Sequence, residues 1–151
     1  MSPEQRLADL GLELPEVPAP VASYVNCVRS GNLLYLSGGL PVMDGAIVTG
    51  QVPRDISVED ATAAARNIIL NRLSVVRGEL GSLDHVARIV SLQGFVNSAS
   101  DFYEHPKVVN GASDLLLEIF GEAGKHSRIA LGAAALPLNA AVEISLVVEV
   151  R

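Results

Sequence analysis

Residues 127–150 read SRIALGAAALPLNAAVEISLVVEV, two alternating stretches interrupted by Leu136-Pro137-Leu138-Asn139. Successive side chains of a strand point to opposite faces. Along Ser127 to Ala135 this puts Arg128, Ala130, Gly132 and Ala134 on one face, and Ile129 and Leu131 on the other. From Ala141 to Val150, Val142, Ile144, Leu146, Val148 and Val150 point one way; Glu143, Ser145, Val147 and Glu149 point the other. A strand with one wholly apolar face needs a second layer to cover it, and the upstream chain must supply that layer.

Two helices are predicted. In the first, Ser57 with Asp60 resembles a capping box, and Ala61, Ala64, Ala65, Ile68, Leu73, Val76 and Leu80 recur at helical spacing. Gly81 is placed to end it in a left-handed conformation. The second begins near Pro106, since proline suits the first helical turn. It lines one side with Val108, Ala112, Leu115, Leu116 and Ile119 and closes at Gly121, although Asn110-Gly111 is poor helix sequence. Between them Val86 to Val96 reads as a long strand, with Gly94 as a bulge. Before them, Val21 to Val28 and Leu33 to Leu36 flank a Ser30-Gly31-Asn32 turn and read as a hairpin. Asp44-Gly45 marks another turn ahead of a short strand at Ala46 to Thr49. Residues 3–10 read as a short helix, and Pro15 to Pro20 as an extended approach.

The order β-β-(β)-α-β-α-β-β predicts an α+β sheet with its two helices packed on one face. The opposite face is too rich in apolar and small residues to be left to water, which predicts a homo-oligomer.

Composition sets bounds on function. The 151 residues carry a formal charge of −6, a sign that repels phosphate backbones, so no nucleic-acid partner is expected. Arg66, Arg72 and Arg77 share the first long helix and read as a solvated face. Cys27 is the lone cysteine, so there is no intramolecular disulfide, and it reads as a small core or interface residue. MSPEQRLADL lacks the apolar run of a signal peptide, and no stretch is long enough to span a bilayer. A cytoplasmic location is expected.

Arg128 is the sharpest candidate for chemistry. A guanidinium on a face otherwise made of alanine and glycine has room beside it for a flat anion, and its forked donors match a carboxylate. The alternative is an ion pair with Glu143 or Glu149. Glu143 has the chemistry to position water or relay protons, or is an exposed strand residue. If the last two strands were hairpin partners, Glu143 would lie opposite residue 133, about 17 Å along the strand from Arg128. The two share a site only if the strands are not partners or if they meet across a subunit boundary. Tyr24 is suited to stack on a ligand or donate a hydrogen bond, and equally to be a half-buried strand residue. His85, His105 and His126 lack metal-ligand spacing, and no phosphate loop or serine-hydrolase signature occurs.

Tyr24 and the run Ser30-Gly31-Asn32-Leu33-Leu34-Tyr35-Leu36-Ser37-Gly38 resemble the opening hairpin of the RidA/YjgF family. Ser127-Arg128-Ile129-Ala130, followed by Ala135-Leu136-Pro137-Leu138-Asn139-Ala140-Ala141-Val142-Glu143-Ile144, resembles its C-terminal signature. The resemblance covers roughly residues 18–150, leaving 1–17 as an N-terminal extension of a single 1–151 domain. It implies a chorismate-mutase-like fold, a homotrimeric barrel with three clefts between subunits, and no cofactor or metal. It implies hydrolysis of reactive enamines and imines of the 2-aminoacrylate type to a 2-oxo acid and ammonia. Arg128 would bind a carboxylate-bearing ligand, Glu143 would hold the attacking water, and Tyr24 would line the cleft. Ser37, Gly38 and Ala130 fall where the family contacts ligand, and Asn110 is a looser match. His126, which precedes the arginine where many members have proline and alanine, is a further residue facing that cleft. Val21-Ala22-Ser23-Tyr24-Val25-Asn26 replaces the family's Gly-Pro-Tyr-Ser-Gln entry, and Asn97 to Pro106 is longer than usual. The alternatives are a non-catalytic binder of small carboxylates and, less favoured, an endoribonuclease.

Overall fold

The computed structural model describes residues 1–20 and 22–151. In chain order the elements are helix α1 (Pro3–Asp9), strands β1 (Cys27–Ser30), β2 (Leu33–Leu36), β3 (Val42–Met43) and β4 (Ala46–Ile47), helix α2 (Val58–Leu80), strand β5 (Val86–Asn97), helix α3 (His105–Phe120), and strands β6 (Ser127–Ala133) and β7 (Val142–Val150). Five strands form one mixed sheet in the order β1-β2-β7-β5-β6, while β3 and β4 make a separate small ribbon. The β5–β6 pair is parallel and the others are antiparallel. A parallel pair cannot close through a tight turn, and α3 is the crossover between these two strands.

The side chains of β7 alternate between buried and half-buried along its whole length, as the sequence pattern requires. Val142, Ile144 and Leu146 face α2 and α3, where Ile68, Leu115 and Ile119 are fully buried. Truncating one such side chain to alanine costs about 2–5 kcal/mol. α2 starts at Ser57, whose hydroxyl accepts from Asp60 N–H. It ends at Gly81, where φ is 83° and the N–H donates to Arg77 O.

α3 runs unbroken through Asn110-Gly111, and packing supplies the reason. A Cβ at position 111 would run into the Thr62 carbonyl oxygen of α2, so glycine here lets the two helices lie in backbone contact. The helical layer holds three helices rather than two. The third, α1, lies beside α3 and is tied down by Glu4, which pairs with Arg77 Nη2 at 2.5 Å and accepts Leu83 N–H at 2.8 Å.

Four local expectations need correction. The first strand begins at Cys27; Val21 lies outside the described residues, and 22–26 form bends. There Asn26 Nδ2 donates to Pro18 O (2.6 Å) and Ser37 Oγ to Val25 O (2.6 Å), side-chain bonds that compete with ladder pairing. Gly94 is not a bulge. The register shifts fall between Val86 and Arg88 and between Ile89 and Ser91, while a Cβ at Gly94 would press on Val109 of α3 at 2.7 Å. β6 stops at Ala133 instead of Ala135. Arg72 is not on a solvated face: it is 4% exposed.

Candidate functional site

The predicted site residues fall into two groups. The first lies where α3 crosses edge strand β6. Gly94 faces α3 and pairs with Ala130, so Ala130 and its same-face neighbour Arg128 also look toward that helix. Arg128 Nη1 donates to Asn110 Oδ1 (2.7 Å) and to Ser113 Oγ (3.2 Å). Both hydrogens of Nη1 are thereby committed to α3. Among the described residues no acceptor meets Nε or Nη2, and no carboxylate pairs with the guanidinium. The open edge is the one that grips a planar anion through two parallel N–H bonds. It borders a cavity of about 470 Å³ lined also by Asp114, Leu117, Lys125 and His126. His126 Nε2 is 2.9 Å from Ser113 Oγ, and Nδ1 is 2.6 Å from Gly124 O.

The second group lies at the start of β7. Glu143, Gly38, Phe95, Leu136 and Ser145 line a cavity of about 320 Å³. Burial pushes the Glu143 carboxyl above the usual carboxylate range, because a charge leaving water favours its neutral form. Gly38 lies so close to Glu143 that a Cβ there would meet Oε1. Ser37 is held on three sides: its N–H donates to Asn26 O (2.9 Å), its hydroxyl to Val25 O (2.6 Å), and its carbonyl accepts from Arg72 Nη1 (2.7 Å). Burial lowers the Arg72 pKa. Tyr24 is half exposed.

These two groups do not meet within one chain. β5 lies between β6 and β7, so the last two strands are not hairpin partners. Arg128 is level with Leu92 and Leu146, whereas Glu143 is level with Phe95 and Leu131. The offset is two strands and three residues, or about 14 Å from the spacings of a sheet. Moreover, Glu143 points to the sheet face away from the helices, and Arg128 points to the helical face. The last two strands are thus not hairpin partners, and that arrangement still leaves Arg128 and Glu143 apart within one chain.

Ser113 and Arg72 were missed as site residues, though the spacing contained both. Ser113 is three residues after Asn110 and therefore shares its helix face. Arg72 lies in the buried stripe Ala61, Ala65, Ile68, Arg72, Val76. The histidines are dispersed: His85 Nδ1 meets Leu80 O, and His105 Nε2 meets Ser98 Oγ. A cavity of about 680 Å³ at the far end of β6 is lined by Ser98, Tyr103, His105 and Gly132 and by none of the predicted site residues.

Residues 4–150 match the family model described as "YjgF/chorismate mutase-like, putative endoribonuclease". The chain is 47% identical to protein TCP17 of Trypanosoma cruzi over 96% of its own length and 92% of that protein's. It is 29% identical to a 2-iminobutanoate/2-iminopropanoate deaminase of the mite Dermatophagoides farinae, covering 93% and 95% of the two chains. Among solved structures, it is similar to a protein of unknown function from Agrobacterium tumefaciens, with a TM-score of 0.91, 46% identity and coverage of 99% and 92%.

Proposed function

Since this chain belongs to the YjgF/chorismate mutase-like family, we propose that it hydrolyses reactive enamines and imines of the 2-aminoacrylate type to a 2-oxo acid and ammonia. The observation that carries the reading is Arg128, with one end of its guanidinium clamped by Asn110 and Ser113 and the Nε/Nη2 edge left open. The cleft forms between two copies, in a homotrimer whose open sheet faces turn inward. Val28, Tyr35, Ile129 and Leu131, each about half exposed, are the surface that this assembly would bury. One subunit contributes Arg128, Asn110, Ala130 and His126; its neighbour contributes Tyr24, Ser37, Gly38 and Glu143.

In that cleft Arg128 binds the substrate carboxylate and so fixes the imine carbon. Glu143 accepts a hydrogen bond from water and takes its proton as oxygen bonds to the imine carbon. Glu143 returns that proton to the imine nitrogen, which completes the carbinolamine. A second transfer through Glu143, from the carbinolamine hydroxyl to its amine nitrogen, breaks the C–N bond as the ketone forms and ammonia leaves; an enamine enters as its imine tautomer. A carboxyl group raised toward neutrality is suited to accept and return that proton. Imine hydrolysis is intrinsically easy, so positioning carries most of the catalysis. No step requires a metal or cofactor.

A non-catalytic binder of small carboxylates would use the same Arg128, and turnover separates the two readings. Ribonuclease activity is less favoured, because Arg54, Arg66, Arg77 and Lys125 are each paired with a carboxylate in a chain of net charge −6. The test generates 2-iminobutanoate in situ and couples 2-oxo acid release to lactate dehydrogenase. The expected result is acceleration by the wild type and none by Arg128→Ala; equal rates with both would remove the mechanism.

A further inference from the structure

Ser113 and His126 form a hydrogen-bond chain behind Arg128, and the chain has a polarity. An arginine side chain only donates, so its 3.2 Å contact with Ser113 Oγ uses the hydroxyl as acceptor. Ser113 is 8% exposed, and its Oγ lies 2.9 Å from His126 Nε2. Gly124 O, 2.6 Å from His126 Nδ1, can only accept, so Nδ1 carries a ring hydrogen. In the neutral ring Nε2 then keeps its lone pair and accepts the Ser113 hydroxyl hydrogen. In the neutral ring donation thus runs from Arg128 to Ser113, to His126, to the Gly124 carbonyl.

We propose that Ser113 and His126 are positioning residues for the Arg128 guanidinium, and that protonation of His126 strengthens anion binding at that end of the cleft. The proposal rests on the carboxylate-binding reading of Arg128. An imidazolium donates from both nitrogens. Nε2–H then donates to Ser113 Oγ, which still accepts from Arg128, so the hydroxyl hydrogen is released and free to swing into the cavity that Ser113 also lines. A carboxylate on Arg128 gains a neighbouring donor and a nearby positive charge. The charged groups facing His126 are mixed in sign. Lys125 and Arg128 are on its own segment, Asp114 on α3, and Arg88 and Glu149 on β5 and β7; Glu122 is held by Lys125 at 2.9 Å. The sign of the effect therefore follows from the donor polarity and not from the surrounding field.

The experiment uses the full chain and has two readouts. Nitrogen-15 NMR of the His126 ring reports the tautomer, and calorimetry reports affinity for 2-oxobutanoate across a pH series. At neutral pH the wild type is expected to show the Nδ1–H tautomer, and its affinity to rise about tenfold on acidification. His126→Gln should bind with a flat profile, and Ser113→Ala about tenfold more weakly than wild type at low pH, also flat. Glu143→Gln should keep the rise, which assigns the titration to His126. An Nε2–H tautomer, or a His126→Gln profile that titrates as the wild type does, overturns the proposal. If Arg128→Ala abolishes binding while Ser113→Ala and His126→Gln match the wild type, the chain is refuted and the carboxylate reading stands. If the folded wild type does not bind, the carboxylate reading fails and takes the proposal with it.

Discussion

Replacing Gly38 by alanine brings a methyl group against the Glu143 side chain, 3.1 Å from Cδ and 3.2 Å from Cγ with Oε1 closer still. The Gly38 backbone is outside the left-handed region, so alanine introduces no strain of its own. All three contacts are to atoms of one flexible side chain beyond its Cβ, and no hydrogen bond among the described residues holds that carboxylate. Glu143 therefore swings away by about 1 Å at small cost in stability, less than about 1 kcal/mol. A displacement of that size costs about a hundredfold in rate when the group must meet a water lined up on the substrate. The assay is coupled 2-oxo acid release from 2-iminobutanoate, with thermal melting alongside. The expected result is a melting temperature within a few degrees of wild type and a rate down by about two orders of magnitude. A Gly38→Ala protein with full activity would show that Glu143 does not work from the position it holds beside Gly38.

Gly111→Ala meets a backbone oxygen that cannot yield and should destabilise by about 1–3 kcal/mol or more in urea unfolding. Arg72→Met strips the donors from Ser37 O and Asn71 Oδ1; a loss of about 1–3 kcal/mol is expected, with weakened turnover as the Ser37-Gly38 segment loosens. Glu4→Gln should cost about 1 kcal/mol by removing the charge that pairs α1 with Arg77. Burial raises the Glu4 pKa, but Arg77 and the Leu83 N–H outweigh it and hold the carboxyl below its ordinary value. Its contribution is thus present above the unfolded pKa and lost as pH falls through the folded one, and the mutant and wild-type melting curves should converge in acid.

Most of the architecture was legible because local rules and packing agree. The strict alternation of β7, the alanine-rich stripe of α2 and the left-handed Gly81 each point to one conformation and were found in it. Reading failed where a distant element decides. Gly111 is a helix breaker by propensity, yet Thr62 on another helix makes glycine the only fit. Arg72 carries a charge that suggests solvent, while its position on the buried stripe and the waiting Ser37 carbonyl put it in the core. The bends at 22–26 depend on bonds from Asn26 and Ser37 to backbone that local composition does not reveal. For the site, alternation put Arg128 and Glu143 on strand faces, but the insertion of β5 between β6 and β7 is a matter of topology. Only that insertion reveals that the two look to opposite sides of one sheet.

The arrangement of Arg128 and Glu143 across two copies is tested most directly by mixing inactive subunits. Arg128→Ala and Glu143→Gln chains, unfolded together in equal amounts and refolded, regain a working cleft wherever an intact arginine meets an intact glutamate of a neighbour. Random assembly predicts recovery of about one quarter of wild-type activity, against none for either variant refolded alone. A mixture as inactive as its components, with mixed oligomers verified by native mass spectrometry, would contradict a cleft shared between subunits.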